Sequence, residues 1–161
     1  MLEIEHKFLV ADDSWRQAAT RSVHVLQGYF TKGGGDYSLR VRIVEEREAK
    51  LTIKSQGTGL TRSEFEYPIP LEDARAMMRD FCSSRLIDKR RYYVEAPPFT
   101  WEIDVFAGAN AGLVLAEIEI PSEETEFPRP SWLGREVTGE IRYLNETLAF
   151  QPWTDTQSQQ A

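Results

Sequence analysis

One cysteine, Cys82, stands among 161 residues, so no internal disulfide can staple the chain, and it suits a reducing compartment. Its neighbours Met77, Met78 and Phe81 assign it to helix packing. Histidine is nearly absent too, with two in all, and no Ser/His/Asp or Cys/His pattern supports nucleophilic hydrolysis. No apolar run is long enough to span a bilayer. The chain opens on Glu3 and Glu5 rather than on the basic start of a signal peptide. A cytoplasmic protein that neither binds nor crosses a membrane is expected. Gly33-Gly34-Gly35 lacks a following Lys-Ser/Thr, which makes it a hairpin loop and not a phosphate-binding P-loop. Positive charge is in deficit: 19 Lys and Arg against 26 Asp and Glu leave a net charge of -7. The molecule as a whole should therefore not seek nucleic acid, and any anion must be held by locally grouped Lys and Arg.

What the chain does have is alternation. Glu3-Ile4-Glu5-His6-Lys7, Arg40-Val41-Arg42, Thr52-Ile53-Lys54, Glu64-Phe65-Glu66, Lys89-Arg90-Arg91, Glu102-Ile103-Asp104 and Glu117-Ile118-Glu119 put polar or charged residues two positions apart. That spacing places side chains on one face of a strand. The residues between are mostly apolar, so each strand has an ionic face and an apolar face.

Eight strands follow from these segments and the turns around them: Met1–Val10, His24–Thr31, Tyr37–Val44, Lys50–Ser55, Thr61–Ile69, Leu86–Glu95, Phe99–Phe106 and Leu113–Pro121. A short helix is expected over Trp15–Ala19, after Asp12-Asp13-Ser14. The main helix is expected over Leu71–Ser83, where Leu71, Ala74, Met77, Met78 and Phe81 recur at helical spacing. Gln56-Gly57-Thr58-Gly59 reads as a turn, Glu123–Trp132 as a loop, and Ile141–Phe150 as helical. The fold class is α+β, mainly β, as a single domain over residues 1–150 with a polar tail over 151–161.

A sheet with one solvated face also alternates, and that reading suffices for any single pair. It explains the set less well, because like charges about 7 Å apart on one strand repel unless neighbouring strands supply the opposite sign. Eight antiparallel strands can close into a barrel with one face of every strand inside. With the charged faces inward, the barrel is a water-filled ionic tunnel. The apolar faces then need cover from outside, by the 71–83 helix and the C-terminal segment. The basic set is Lys7, Arg40, Arg42, Lys54, Lys89 and Arg91, suited to a ligand with several phosphates. The acidic set is Glu3, Glu5, Glu64, Glu66, Glu102, Asp104, Glu117 and Glu119. Carboxylates without His or Cys clusters point to a hard cation, Mg²⁺ or Mn²⁺. Glu3 and Glu5 on the first strand and Glu117 and Glu119 on the last form the expected metal site, since those strands meet when the barrel closes.

Glu3-Ile4-Glu5-His6-Lys7 is similar to the ExExK signature of the CYTH domain family, the triphosphate tunnel metalloenzymes. The resemblance continues through Leu39-Arg40-Val41-Arg42, Thr52-Ile53-Lys54, Glu64-Phe65-Glu66, Lys89-Arg90-Arg91-Tyr92, Asp104-Val105-Phe106, Glu117-Ile118-Glu119, Glu136-Val137-Thr138 and Tyr143. It implies an eight-stranded antiparallel tunnel, divalent-metal dependence and a small-molecule triphosphate substrate. The opening and Gln27-Gly28-Tyr29 look most like the small bacterial inorganic triphosphatases of the family. His6 departs from the Arg common there, but its parity puts it outside the tunnel.

The expected reaction is hydrolysis of inorganic triphosphate to pyrophosphate and phosphate. Catalytic roles fall to Glu5, positioning water, to Lys54 or Lys89 at the leaving pyrophosphate, and to Tyr29 as a lesser candidate that could equally be a packing aromatic. A class IV type adenylyl cyclase or a thiamine or nucleoside triphosphate phosphatase is the alternative of the same class. A non-catalytic polyphosphate- or nucleotide-binding module is the alternative of another class, as is a structural domain. Monomer and homodimer both remain open.

Overall fold

A computed structural model describes residues 2–56 and 61–154. Among the described residues nine strands form one sheet: β1 (Leu2–Val10), β2 (Ala19–Tyr29), β3 (Tyr37–Val44), β4 (Glu48–Ser55), β5 (Thr61–Pro68), β6 (Leu86–Ala96), β7 (Phe99–Phe106), β8 (Val114–Glu119) and β9 (Leu133–Glu136). Three short α-helices accompany them, α1 (Trp15–Ala18), α2 (Leu71–Phe81) and α3 (Asn145–Phe150). Residues 57–59 of the expected turn and the tail beyond Thr154 lie outside the described residues.

The order β5-β4-β3-β2-β6-β7-β8-β1 is antiparallel throughout, and β5 pairs back onto β1 to close an eight-stranded barrel. The first and last barrel strands do meet, with Glu5 opposite Glu119 and Lys7 opposite Glu117. The closing seam, however, is β1 with β5, Leu2–Ile4 against Ser63–Thr61. Strand β9 was not expected from the sequence. It has four residues, too few to show a period, and lies beside the end of β1, just after the stretch that reads as a loop. Gly134 permits that approach, because a Cβ there would lie 2.8 Å from the Leu9 carbonyl oxygen. The C-terminal segment is helical as expected only in part, as a 3₁₀ turn over Ile141–Tyr143 followed by α3.

Apolar faces point out, as their parity requires. Helix α2 starts after Pro70, carries Glu72 and Asp73 in its first turn and Arg79 in its last, and so complements its own dipole. Its Ala74 and Met78, with Cys82, pack on Val41, Ile43 and Ala49 of β3 and β4. A second outer core gathers Phe8, Trp15, Val94, Trp101, Ile103, Ile118 and Trp132 under α1 and the 120–132 connection. The C-terminal segment does something other than the expected outer cover. Its Tyr143, Leu148 and Ala149 pack against Tyr29, Ile87, Phe106 and Leu115, which share the inward parity of the charged residues. It therefore plugs one end of the barrel and leaves a tunnel closed on that side. The outer face of β4, β5 and the start of β1 stays partly bare, with Ile53, Phe65, Tyr67 and Leu2 exposed. Among the described residues no helix is long and apolar enough to cross a membrane.

Candidate active site

The inward faces enclose a cavity of about 220 Å³. All six members of the basic set line it: Lys7, Arg40, Arg42, Lys54, Lys89 and Arg91. Seven of the eight acids line it as well, namely Glu3, Glu5, Glu64, Glu66, Glu102, Glu117 and Glu119. Asp104 is the exception, fully buried behind the lysine and arginine it serves. Tyr29 also lines the cavity, at its plugged end.

Most of these charges neutralise one another. Asp104 takes Lys89 Nζ at 2.7 Å and the Arg91 guanidinium in a fork at 2.7 and 2.8 Å. Arg91 also reaches Glu117 at 3.4 Å and pairs with Glu102. Lys7 Nζ lies 3.3 Å from Glu117 and donates to the Tyr143 carbonyl oxygen at 3.2 Å. Lys54 bridges Glu3 at 2.7 Å and Glu64 at 2.9 Å. Thr52 donates to Glu66 at 3.0 Å.

Two acids are left over. Among the described residues neither Glu5 nor Glu119 has a cationic partner within 4.0 Å. Enclosure in the barrel, with Glu117 nearby, pushes the Glu5 carboxyl up to about 8. Burial, with Glu3, Glu102 and Glu64, raises Glu119 in the same direction. Burial alone would also raise Glu117, but Lys7, Arg91, Lys89 and Lys54 outweigh it and hold that carboxyl well below the usual range.

Three cations are left over in the same way. Arg40, Arg42 and Arg62 have no carboxylate within 4.0 Å among the described residues. Arg42 Nε donates to Gln27 Oε1 at 2.9 Å, and enclosure with Arg40 and Arg91 pulls its guanidinium down to about 10. Burial likewise pulls the Lys89 ammonium down to about 8, against the opposing pull of Asp104.

The donor set fits a hard divalent cation: carboxylate oxygens only, with Glu5 and Glu119 in need of positive charge. The four expected ligands are not gathered into a cage, since Glu3 and Glu117 are turned to lysine and arginine. Among the described residues no three His, Cys, Asp or Glu side chains form one.

Several lining residues were missed from the sequence. Arg62 is two positions before Glu64, so strand parity could have found it. Ser38 likewise shares the parity of Arg40, while Thr52, paired with Lys54 in the sequence pattern, lines the cavity without having been given a role. Asn145 and Glu146 reach the cavity from α3, where no strand period applies. Glu146 accepts from Thr31 Oγ1 and packs beside Gly33, tying the glycine-rich hairpin to the plug. His6 lies outside the barrel, against Phe127 and hydrogen-bonded to Glu136, as its parity required.

A sequence-family model for the CYTH domain matches residues 1–149. An inorganic triphosphatase of Acetivibrio thermocellus is 44% identical over 153 residues, covering 94% of this chain and 95% of its own. One of Nitrosomonas europaea is 38% identical over 153 residues, covering 93% and 98%. A crystal structure of an inorganic triphosphatase superposes with a TM-score of 0.66 at 35% identity, covering 91% of this chain and 93% of that one. Family membership implies dependence on a divalent metal, in keeping with the unpaired carboxylates. A closed antiparallel barrel with both signs of charge inside and a family match over nearly its whole length place this chain in the CYTH domain family.

Proposed function

We propose that this chain hydrolyses inorganic triphosphate to pyrophosphate and phosphate inside its barrel, with Mg²⁺ or Mn²⁺ as the cation. The observation that carries this reading is the charge left unpaired in the tunnel. Glu5 and Glu119 await a cation, while Arg40, Arg42 and Arg62 await an anion. A metal–polyphosphate complex answers both needs at once. The names of the two relatives support the same substrate.

Phosphoryl transfer asks mainly for positioning and charge neutralisation. Arg40, Arg42 and Arg62 supply guanidinium forks for phosphate oxygens, with Lys7, Lys54 and Arg91 adding charge around them. Glu5 and Glu119 are the residues that would hold the metal, with Glu3 and Glu117 of the expected set joining them only by giving up Lys54, Lys7 and Arg91. A divalent cation bound there supplies Lewis-acid charge to the phosphate oxygens and acidity to a nearby water. Glu5 positions the attacking water and accepts its proton as the terminal P–O bridge breaks. The bridging oxygen keeps that electron pair, and Lys89, with Lys54, neutralises the pyrophosphate that leaves. Tyr29, hydrogen-bonded by Gln27 at 2.9 Å, orients groups at the plugged end. Glu64, Glu66, Glu102 and Asp104 hold the cations in register. On this reading the chain is a cytoplasmic enzyme, a monomer or homodimer, whose partner is a small triphosphate and not nucleic acid or membrane.

The test is phosphate release from tripolyphosphate, ATP, thiamine triphosphate and pyrophosphate, each with and without metal. Metal-dependent release fastest from tripolyphosphate is expected, and lost in Glu5→Gln and Arg42→Ala. Release that survives both substitutions overturns the assignment.

A further inference from the structure

We infer that Asn145, on the plug helix α3, is a positioning residue for phosphoryl transfer, aiming Lys89 directly and Arg42 through Gln27; this rests on the triphosphatase reading. A lysine ammonium has three N–H donors. On Lys89 one goes to Asp104 at 2.7 Å and a second to Asn145 Oδ1 at 2.9 Å. The third is left for the cavity that Lys89 lines. Asn145 Oδ1 accepts a second hydrogen bond, from Gln27 Nε2 at 3.1 Å. Gln27 is fully buried; its Oε1 accepts from Arg42 Nε at 2.9 Å and its Nε2 also donates to Tyr29 Oη at 2.9 Å.

The chain of bonds fixes each amide. Arg42 and Lys89 can only donate, so Gln27 must turn its oxygen to Arg42 and Asn145 its oxygen to Lys89. One neutral oxygen thus sets the direction of the leaving-group lysine and, one bond further, of an unpaired phosphate-binding arginine. Neutrality matters here. A second carboxylate beside Lys89 would neutralise the charge that a phosphate needs, whereas an amide fixes direction and leaves the charge available. The mount is firm, because Leu148 and Ala149 of the same helix are buried against Tyr29, Ile87 and Leu115.

The test compares wild type with Asn145→Leu, which keeps size and loses the acceptor, and Asn145→Asp, which keeps the acceptor. Asn145→Leu should lower kcat about 10- to 100-fold with KM changed by less than about threefold, the size of a lost hydrogen bond to a charge. Asn145→Asp should recover part of that loss and stop short of wild type, because it restores the acceptor but adds the carboxylate charge that the neutral amide avoids. In a Lys89→Met background, Asn145→Leu should cost clearly less than in wild type, because the direct bond to the lysine is already gone and only the branch through Gln27 to Arg42 remains. Wild-type kcat in Asn145→Leu, no recovery in Asn145→Asp, or a full multiplicative loss on Lys89→Met each overturns the inference. If the wild-type chain releases no phosphate at all, the functional reading fails first. The same variants are then compared by the NMR signal of the Lys89 ammonium, where a shift unchanged in Asn145→Leu sinks the positioning role independently.

Discussion

Glu5 and Glu117 share one tunnel wall and titrate in opposite directions. Lys7 and Arg91 flank Glu117 at 3.3 and 3.4 Å and keep it charged despite burial. Glu5 has the enclosure without the partner, and the charge on Glu117 raises it further, to about 8. Neighbouring carboxylates whose surroundings separate them in this way can take separate roles. Glu117 is the fixed charge of the wall, while Glu5 is the group whose charge appears only when a cation arrives.

Metal binding should therefore release a proton. Below about pH 8 the Glu5 carboxyl is protonated in the metal-free protein, and a divalent ion must displace that proton. Affinity for Mg²⁺ should rise with pH and level off above about 8. Calorimetry in buffers of differing ionisation enthalpy should show close to one proton released per ion near neutrality. Glu5→Gln should abolish that release and weaken binding by roughly tenfold or more. Proton release unchanged in the variant would assign it to another group.

Stability of the metal-free protein should pass through a minimum near pH 8. The folded Glu5 carboxyl holds its proton to about 8 instead of 4.5, so its contribution is present below 4.5 and lost as pH rises through 8. Lys89 is shifted the other way, from 10.5 to about 8, so its contribution is present above 10.5 and lost as pH falls through 8. Melting temperatures in chelator should fall from about pH 5 to 8 and rise again from 8 to 10. Glu5→Gln should flatten the first limb and Lys89→Met the second.

Much of this barrel is legible in the sequence because the side-chain period of a strand is two. Arg40 and Arg42 fall inside and Val41 and Ile43 outside by parity alone, and the sign of each inward face then names its ligand. What stayed hidden is what parity does not carry. Which strand closes onto β1 depends on shear, and Ser63 opposite Leu2 leaves no local signature. The plug was half visible: Leu115 precedes Glu117 by two, and Ile87 precedes Lys89 by two, so one end of the inward face is apolar and needs a cover. Nothing in Ile141–Phe150 says that the cover is inserted at the end instead of laid on the outside. Asn145 was out of reach for the same reason, since its role comes from the helix that carries it.

Gly28 of β2 packs tightly against Cys82, the residue that ends α2. A Cβ there would lie 2.7 Å from Cys82 Cβ and 3.1 Å from its Sγ. Gly28→Ala should destabilise by about 1–3 kcal/mol through overpacking, read as a lower denaturant midpoint. Pairing it with Cys82→Ala leaves the Cβ–Cβ clash and relieves only the sulfur contact, so recovery should be partial. Full recovery would make the sulfur the whole obstacle.

Asp104 is the substitution with the largest expected structural cost. It is 0% exposed, and Lys89, which it binds at 2.7 Å, is 1% exposed. Arg91 leans on the same carboxylate through two bonds. Asp104→Ala leaves both cations without their shared partner, although Arg91 retains Glu102 and Glu117 while Lys89 keeps only the neutral Asn145 oxygen. Breaking one side of a buried pair costs about 3–5 kcal/mol, so Asp104→Ala should lose that much in urea unfolding. Lys89 is the cation with no second carboxylate, so Lys89→Met added to Asp104→Ala should regain a large part of the loss. If the double variant is no more stable than Asp104→Ala, the cost lies with Arg91. In neither variant should Mg²⁺ binding at Glu5 and Glu119 disappear, because Asp104 stands behind the cations and not among the proposed metal ligands.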